Sequence, residues 1–189
     1  MSKEGEMDVI KSQPFTQLRR QDRAVQDETW IEDFLVKAPY GILAMAIDNQ
    51  PYAKPNLFTF DPLRRAIYLH TADEGRTIEN IRINPMVCFT VAEIGRLLPA
   101  ERARGFSVEY ASVVVFGLAR VLEDSDERLH GLNLLMRKYA PHLQPDTDYR
   151  AVKASELEGT AVYRIDVTGW SGKRKQAETN FPGAYNFKK

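Results

Sequence analysis

The chain has 189 residues, of which 43% are apolar and 10% aromatic, enough for one well-packed domain but too few for two large ones. Lys plus Arg and Asp plus Glu both total 26, so the net charge is zero. No global basic field draws such a protein to nucleic acid or to an anionic membrane, so we expect neither partner. Any anion has to be held by a local group of residues.

No segment has the composition of a signal peptide or a membrane span. The residues after Met1, SKEGEMD, are polar, and no run approaches the about 18 uninterrupted apolar residues that a transmembrane helix needs. Cys88 is the single cysteine, which excludes an internal disulfide and a thiolate metal cluster and is typical of a reducing compartment. Its apolar surroundings, MVCFTV, predict a buried structural thiol. We expect a cytoplasmic protein.

The first predicted elements are a helix and a hairpin. From Asp27, a helix cap, apolar residues recur at three- and four-residue spacing, which predicts a short amphipathic helix that ends before Pro39. GILAMAI at 41–47 is predicted to be a buried strand, and the turn residues DNQP at 48–51 predict a hairpin with PYAKPNLFTFD. Pro55 lacks an N–H donor, which places that second strand at a sheet edge or bulge.

The middle of the chain alternates strands with one helix. AIYLHT at 66–71 has strand character, and Asp73 is expected to cap a helix from about Glu74 to Arg82. NPMVCFTV begins the next strand. Glycine, proline and charges then predict a longer loop at 94–105, before the β-prone run SVEYASVVVFGLARVL, which we expect to be central in the sheet.

A helix and a strand complete the chain. The helix, at 124–140, places Leu129, Leu132 and Leu135 with Met136 and Tyr139 on one face. TAVYRIDVT then alternates apolar and polar residues, as a half-buried strand does. About six strands and three helices, without internal repeats and without strict βαβ alternation, predict an α+β fold with a mostly antiparallel barrel.

The most informative segment is YLHTADEGRTIENIRINP at 68–85, in which a strand leads to Gly75, Arg76 and Thr77 at the first turn of a helix. Free backbone N–H groups at a helix start, a glycine that permits close approach, a guanidinium and a hydroxyl together suit a phosphate. An ordinary capped helix with a surface arginine would show the same local pattern. The segment alone leaves both interpretations open.

Four segments, PYAKPNLFTFD, YLHTADEGRTIENIRINPMVCFTV, EYASVVVFGLARVLED and VTGWSGKR, resemble the pyridoxamine 5'-phosphate oxidase-like FMN-binding split-barrel family in order and spacing. RRQDRAVQDETWIEDFL and a later H-T-x-x-x-G-R are most similar to its Nim-type (nitroimidazole resistance) flavoprotein branch. The resemblance covers residues 19–175. It implies a mostly antiparallel six-stranded split β-barrel with flanking helices at 27–175, between an N-terminal arm or tail at 1–26 and a C-terminal tail at 176–189.

The resemblance also implies FMN as the cofactor and assigns residues to it. An edge strand would contact the flavin ring and ribityl chain, a strand end would lie beside the ribityl and phosphate, and a helix start would bind the phosphate oxygens. These residues are, in that order, Lys54, Pro55, Asn56 and Leu57; His70 and Thr71; and Arg76 and Thr77. Many relatives have Lys in place of Thr77, so one phosphate cation is missing; Arg19, Arg20 or Arg23 would compensate, or are solvated.

In the family the flavin lies at a two-fold interface, so the resemblance implies a homodimer. Ser112, Trp170 and Lys173 would then reach the flavin from the second subunit. Trp170 and the SGKRK after it could instead form an exposed turn with a basic tail. We interpret His70 as a hydrogen-bonded residue at a strand end rather than as a catalyst, and the histidine spacing predicts no metal site.

The function implied by the resemblance is an FMN-dependent oxidoreductase. The flavin would accept electrons from a reduced nicotinamide and pass them to a small organic acceptor, for which nitro compounds are one candidate, and no catalytic residue is assigned. The alternatives are a non-catalytic flavin or haem binding or sensing protein, and a structural domain with an empty cleft. Hydrolysis and a Rossmann dinucleotide site have no support, because a nucleophile elbow and GxGxxG are both absent from the sequence.

Overall fold

The structure, a computed structural model, describes residues 15–153 and 157–187. Its helices are α1 Glu28–Lys37, α2 Arg76–Ile83 and α3 Ser125–Tyr139. Its strands are β1 Ala24–Val25, β2 Gly41–Ile47, β3 Gln50–Asn56, β4 Thr59–Asp61, β5 Ala66–Ala72, β6 Met86–Leu98, β7 Ser107–Val121, β8 Thr160–Lys175 and β9 Tyr185–Asn186. Short 3-10 turns lie at Gln21–Arg23 and Ala103–Gly105. Within the described ranges, no helix has the length and apolar character to cross a membrane.

The strands form one antiparallel sheet in the order β3-β2-β6-β7-β8-β5-β4, with β1 on β8 and β9 on β6. β7 lies in the middle, as its sequence predicts, between the long strands β6 and β8. Among the described strands, β3 pairs with β2 alone and β4 with β5 alone, so the sheet curls without closing. The predicted α+β split barrel is confirmed, and its six long strands are β2, β3, β5, β6, β7 and β8.

The core lies inside the curled sheet, because successive residues of a strand point to opposite faces. The inward positions of the long strands carry fully buried side chains: Leu43, Ile67, Leu69, Phe89, Val113, Val115 and Ile165. Helix α1 covers this core with Ile31 and Leu35. The Asp27 cap is confirmed, since the N–H of Trp30 donates to Asp27 Oδ1 at 3.3 Å.

The predicted hairpin between β2 and β3 is confirmed. Its two-residue turn consists of Asp48 and Asn49, whose φ angles are 48° and 63°. Two positive φ values match the twist of the flanking strands, so Ile47 pairs directly with Gln50. This turn sets the register of β3, and therefore which of its side chains face inward.

A β-bulge in β8 changes which residues face the core. Phe116 pairs with Gly169 and Gly117 with Val167, so Thr168 is an extra residue in β8. Before the bulge the odd-numbered side chains point inward, as the alternation in TAVYRIDVT predicts. After it the even-numbered side chains do.

Trp170 is the residue most affected by this bulge. It is 8% exposed, its ring meets Phe60 edge-on at 6.1 Å, and the Arg65 guanidinium carbon lies 3.9 Å from its centroid. Trp170 is therefore part of the core of its own subunit.

The predicted loop at 94–105 is wrong in its first half. β6 continues to Leu98 across a bulge that contains Gly95 and Arg96. The Arg96 guanidinium donates to both carboxylate oxygens of Glu109 on β7, at 2.9 and 2.7 Å. This contact between β6 and β7 stabilises a strand where the local composition favours a turn. It could not be predicted from the segment itself, because Glu109 is distant in the sequence.

Helix α2 starts later than predicted. Its first residue is Arg76 and its N-cap is Gly75 with a φ of 110°, whereas Asp73 was expected to cap a helix from about Glu74. The N–H of Asp73 donates instead to the carbonyl oxygen of Gly159 at 3.3 Å, which continues the extended path of β5. Gly75 then makes the turn, because a residue with a side chain adopts this φ only at a cost.

The described parts of both predicted terminal segments contact the barrel. β1 pairs with β8, and the ring of Phe15 lies 5.9 Å from that of Phe116. β9 pairs with Arg96 and Leu97 of β6. Residues 1–14 of the predicted arm lie outside the described residues.

Helix α3 packs on the outward face of the sheet over a second, smaller core that includes Tyr68 and Val162. It also carries a partly buried lysine: Lys138 Nζ lies 3.8 Å from the centroid of the Phe58 ring and donates to the Leu35 carbonyl oxygen at 3.5 Å. Burial lowers the pKa of Lys138 from 10.5 to about 8.

The burial of this cation leads to a stability prediction. Because the unfolded chain binds the lysine proton more tightly, the cost to folding is fully present below about pH 8 and disappears as the pH rises towards 10.5. Lys138→Met should therefore raise the free energy of unfolding near neutral pH by about 1–2 kcal/mol, part of the gain being offset by the lost ring contact. Urea denaturation at about pH 7 and about pH 10 measures this. Lys37→Met, on exposed α1 surface, is the control, and an equal gain at both pH values would contradict the explanation.

Candidate functional site

The two ends of the sheet approach each other between β3 and β5. In the described part of the chain these strands are joined by side chains and not by a backbone ladder. Lys54 Nζ donates to Thr71 Oγ1 at 3.1 Å, and Asn56 Nδ2 donates to the His70 carbonyl oxygen at 3.5 Å. Four of the residues assigned by the resemblance therefore converge at this gap.

Strand register decides which side chains face into the gap. Lys54 pairs with a buried leucine of β2 and points inward, while Pro55, the next residue, points outward. Thr71 pairs with a buried alanine of β8 and is also inward, whereas His70 is outward and exposed. Leu57 follows β3 and is 50% exposed. The gap thus has an inner lysine and an outer histidine.

Two polar groups at the gap are free to contact a ligand, the imidazole of His70 and the side-chain oxygen of Asn56. Partial burial, and secondly the charge of Lys54, lower the pKa of His70, which favours the neutral form of its imidazole. Asn56 Oδ1 is buried without a hydrogen-bond partner among the described residues. The imidazole of His70 can donate or accept a hydrogen bond, and Asn56 Oδ1 can accept one, from a bound polar molecule.

The start of α2 lies beside the same gap. The Arg76 guanidinium carbon is 5.2 Å from the ring centroid of Tyr52, which is on β3. Arg76 is exposed, whereas the next residue, Thr77, is only 6% exposed. The cation available at this corner is therefore Arg76.

Backbone amides are also available there. The N–H groups of Ile78 and Glu79 donate to the Gly75 carbonyl oxygen at 3.0 and 3.2 Å, whereas those of Arg76 and Thr77, at the first turn, have no acceptor within the described part of the chain. The N-cap has no side chain, and among the described residues other than Gly75 and its two chain neighbours, no heavy atom lies within 4 Å of the position that a Cβ of Gly75 would occupy. An anion can therefore approach the helix start closely.

The residues expected to act from a second subunit fall into two groups. Ser112 of β7 and Lys173 of β8 are direct partners in the sheet, so their side chains lie together on its outward face. Trp170 points inward, to the opposite face. Within one subunit, the sheet separates Ser112 from β3 by β2 and β6. One subunit therefore does not bring all the assigned residues into a single site.

An apolar groove of about 430 Å³ lies on the outward faces of β2, β6 and β7. Met86 and Leu118 in it are 63% and 46% exposed. Cys88 lies in this groove and is half-buried, which corrects the prediction of a buried thiol. Its partial burial raises the pKa of the thiol. The segment MVCFTV alternates between inward and outward positions, and this alternation in the sequence could have placed Cys88 on the outward face. Exposed apolar patches of this kind mark interaction surfaces.

Sequence reasoning also missed two tyrosines at the gap. Tyr52 lies under Arg76, and the hydroxyl of Tyr163 is buried without a partner among the described residues. Burial, and secondly the proximity of Tyr52, raise the pKa of Tyr163. The period-two spacing of Tyr52, Lys54 and Asn56 would have placed all three on one face of an edge strand.

The antiparallel sheet that curls without closing, with Lys54, His70 and the start of α2 at its open edge, places the chain in the class of split barrels. The family model described as Pyridoxamine 5'-phosphate oxidase matches residues 27–174. The chain belongs to this family. A search of curated proteins found no match.

Three solved structures share the fold. A flavocytochrome from Azotobacter vinelandii has a TM-score of 0.76 at 22% identity, covering 92% of this chain and 84% of that one. A FAD and heme binding protein from Mycobacterium smegmatis has a TM-score of 0.73 at 19% identity, covering 82% and 74%. A protein from Bacteroides thetaiotaomicron named for 5-nitroimidazole antibiotic resistance has a TM-score of 0.67 at 24% identity, covering 80% and 86%. These likenesses establish the fold alone.

Proposed function

We propose that this protein binds FMN at the β3–β5 gap as a homodimer and passes electrons from a reduced nicotinamide to a small organic acceptor. One observation carries the proposal. An inward lysine, an outward histidine, an exposed arginine and unpaired helix amides meet where the sheet fails to close.

The helix start fits the cofactor's phosphate. A phosphate monoester is close to dianionic at neutral pH, and it is stabilised by a guanidinium fork and by amides at a helix N-terminus. Arg76 and the N–H groups of Arg76 and Thr77 supply these donors. Gly75 leaves the approach open.

The edge of β3 fits the ring. Since β3 pairs with β2 alone among the described strands, the backbone groups on its other side can bind the polar rim of an isoalloxazine. Asn56 Oδ1, buried and unpartnered, can accept from a ring or ribityl donor. The ammonium of Lys54 would stabilise the negative charge that a flavin acquires on reduction.

The outward face of the sheet has the features expected of a dimer interface. It carries an apolar groove at Phe116 of β7 and, further along the same face, Ser112 and Lys173, two residues assigned to the flavin site of the other subunit. A second copy seated there would cover the apolar surface and bring Lys173 to the open gap. We therefore propose that each flavin site is shared by two chains.

When bound, FMN would supply the acceptance and transfer of electrons, and this chain would supply placement and electrostatics. The lowered pKa of His70 favours an uncharged imidazole on the outer side of the gap, so the positive charge beside the flavin ring comes from Lys54 on the inner side. A nitro compound is a candidate acceptor, in line with the name of the Bacteroides thetaiotaomicron neighbour. A nicotinamide donor and a single unpaired cysteine agree with a cytoplasmic location.

The chromophore tests this proposal directly. Purified protein should be yellow, with absorbance near about 450 nm, and denaturation should release a molecule with the mass of FMN. Oxidation of NADH or NADPH with a nitroaromatic acceptor then tests turnover. An intense Soret band would favour the haem-binding alternative, and release of FAD would correct the cofactor. Colourless protein whose melting temperature does not rise with added FMN would overturn the proposal.

A further inference from the structure

Two basic segments that lie far apart in the sequence meet at one end of β8. β1 pairs with β8 so that Ala24 lies opposite Lys173, which brings the chain just before β1 next to the end of β8. We call the resulting set of cations the basic patch. It consists of Arg19, Arg20, Arg23, Lys173, Arg174 and Lys175. In a chain without net charge this is a local concentration of positive charge.

The acids near the basic patch do not neutralise it. Asp22 accepts from Arg20 at 2.7 and 2.6 Å and lies 3.1 Å from Arg23, and its pKa is lowered to about 2, first by the hydrogen bond from Arg20. The carboxylate of Glu109 forms an ion pair with Arg96. Glu93 shares a small cleft with Arg174 and Lys175. The cations still outnumber these acids, so the patch attracts anions.

The basic patch is continuous with the second half of the proposed flavin site. Lys173 and Lys175 lie on the outward face of β8, and their partners on β7 are Ser112 and Tyr110. Lys173 Nζ lies 5.9 Å from the Tyr110 ring centroid. A ligand bound at Ser112 and Lys173 that extends along β8 therefore meets more cations and an aromatic ring.

FMN does not need this second cationic region, since its single phosphate is assigned to the start of α2. Resting on the proposed function, we infer that the basic patch binds the pyrophosphate of an adenine dinucleotide. Guanidinium and ammonium groups suit its two negative charges, and the Tyr110 ring can stack on a base. The dinucleotide is either FAD in place of FMN or the nicotinamide donor. Both have the same adenosine diphosphate half.

ADP is the probe for the shared chemistry. Calorimetric titration of ADP should show binding to the wild-type protein and about tenfold or more weaker binding to the double variant Arg174→Gln, Lys175→Gln, which changes two cations that line one cleft with Tyr110. The control, Lys37→Gln with Arg102→Gln, removes the same charge from exposed positions outside the patch and should bind as the wild type does. Absence of ADP binding to the wild type, or equal binding to the patch variant, would overturn the inference.

Two further measurements distinguish the sources. If FAD is the ligand, the patch variant loses affinity for FAD and keeps that for FMN. If the donor is the ligand, its KM rises by about tenfold at unchanged kcat. Affinity for FMN stays the same in both cases, because Lys173 is not changed. A wild-type protein that binds ADP but no flavin would support the inference about the basic patch and refute the proposed function.

Discussion

Arg76→Glu is expected to weaken FMN binding by about a hundredfold or more, because it replaces the cation at the helix start with a charge that repels the phosphate. The structure supports a large effect, since Arg76 is the exposed cation at this corner while its neighbour Thr77 is buried. Arg76→Lys should lose less, as it keeps the charge but not the guanidinium fork. Fluorescence titration of FMN into apoprotein measures all three affinities.

The matched control is Arg102→Glu, just before the 3-10 turn at Ala103–Gly105. It makes the same change in net charge at an exposed position outside α2. FMN affinity should stay within about twofold of the wild-type value, since Arg102 is not among the residues assigned to the flavin and an exposed charge is screened by solvent and salt. Equal losses for the two reversals would mean that overall charge, and not a phosphate site, decides the affinity.

Mixing two inactive variants is expected to restore flavin sites. Lys173→Glu and Arg76→Glu should each weaken FMN binding strongly in the homodimer, because each replaces a cation with an anion in both shared sites. In a heterodimer one site combines the intact Arg76 of one chain with the intact Lys173 of the other. That site should bind FMN, giving one flavin per heterodimer.

The mixing experiment depends on exchange of subunits, which co-expression with two different affinity tags ensures. Recovered heterodimer without bound FMN would show that Arg76 and Lys173 do not form one site across the interface. Chains that remain monomeric would refute the proposed dimer itself. Trp170→Ala is unsuitable for this purpose, since removal of a buried tryptophan leaves a cavity that costs about 3–5 kcal/mol of stability.

The open edge of the sheet connects these predictions. Lys54 and Thr71 hold the two sides together by a side-chain hydrogen bond at 3.1 Å, where a closed barrel would have a backbone ladder. Backbone and side-chain groups are therefore available to a ligand at the point of the fold where they would otherwise be paired. The same edge accounts for the unpartnered Asn56 Oδ1.

Much of the fold could be predicted because local patterns repeat with the period of the element they form. Helix α1 and strand β2 were placed by apolar spacing, and the turn residues between β2 and β3 predicted their hairpin. The run of β-branched residues in β7 predicted its central position. For the site, the glycine before α2 and the arginine at its first position suited a phosphate without deciding it, and the order of four segments indicated the family.

Some residues could not be placed because their environment depends on distant strands. The bulge at Thr168 of β8 directs the side chain of Trp170 inward, towards the core. This bulge is defined by the pairing of β8 with β7. Arg96 extends β6 where composition favours a loop, because Glu109 lies across the sheet. Contacts of this kind are absent from any local window of sequence.

By itself, the sequence determined most element types, the split-barrel family and four residues of the β3–β5 gap, Lys54, Asn56, His70 and Thr71, since period, turn chemistry and motif order are all local or ordered along the chain. Only the tertiary structure decided which face each side chain occupies, where α2 begins, and that Arg20 and Lys175 lie at one end of β8. The physical reason is register. Strand pairing fixes the direction of every side chain, and one bulge reverses it for all residues that follow.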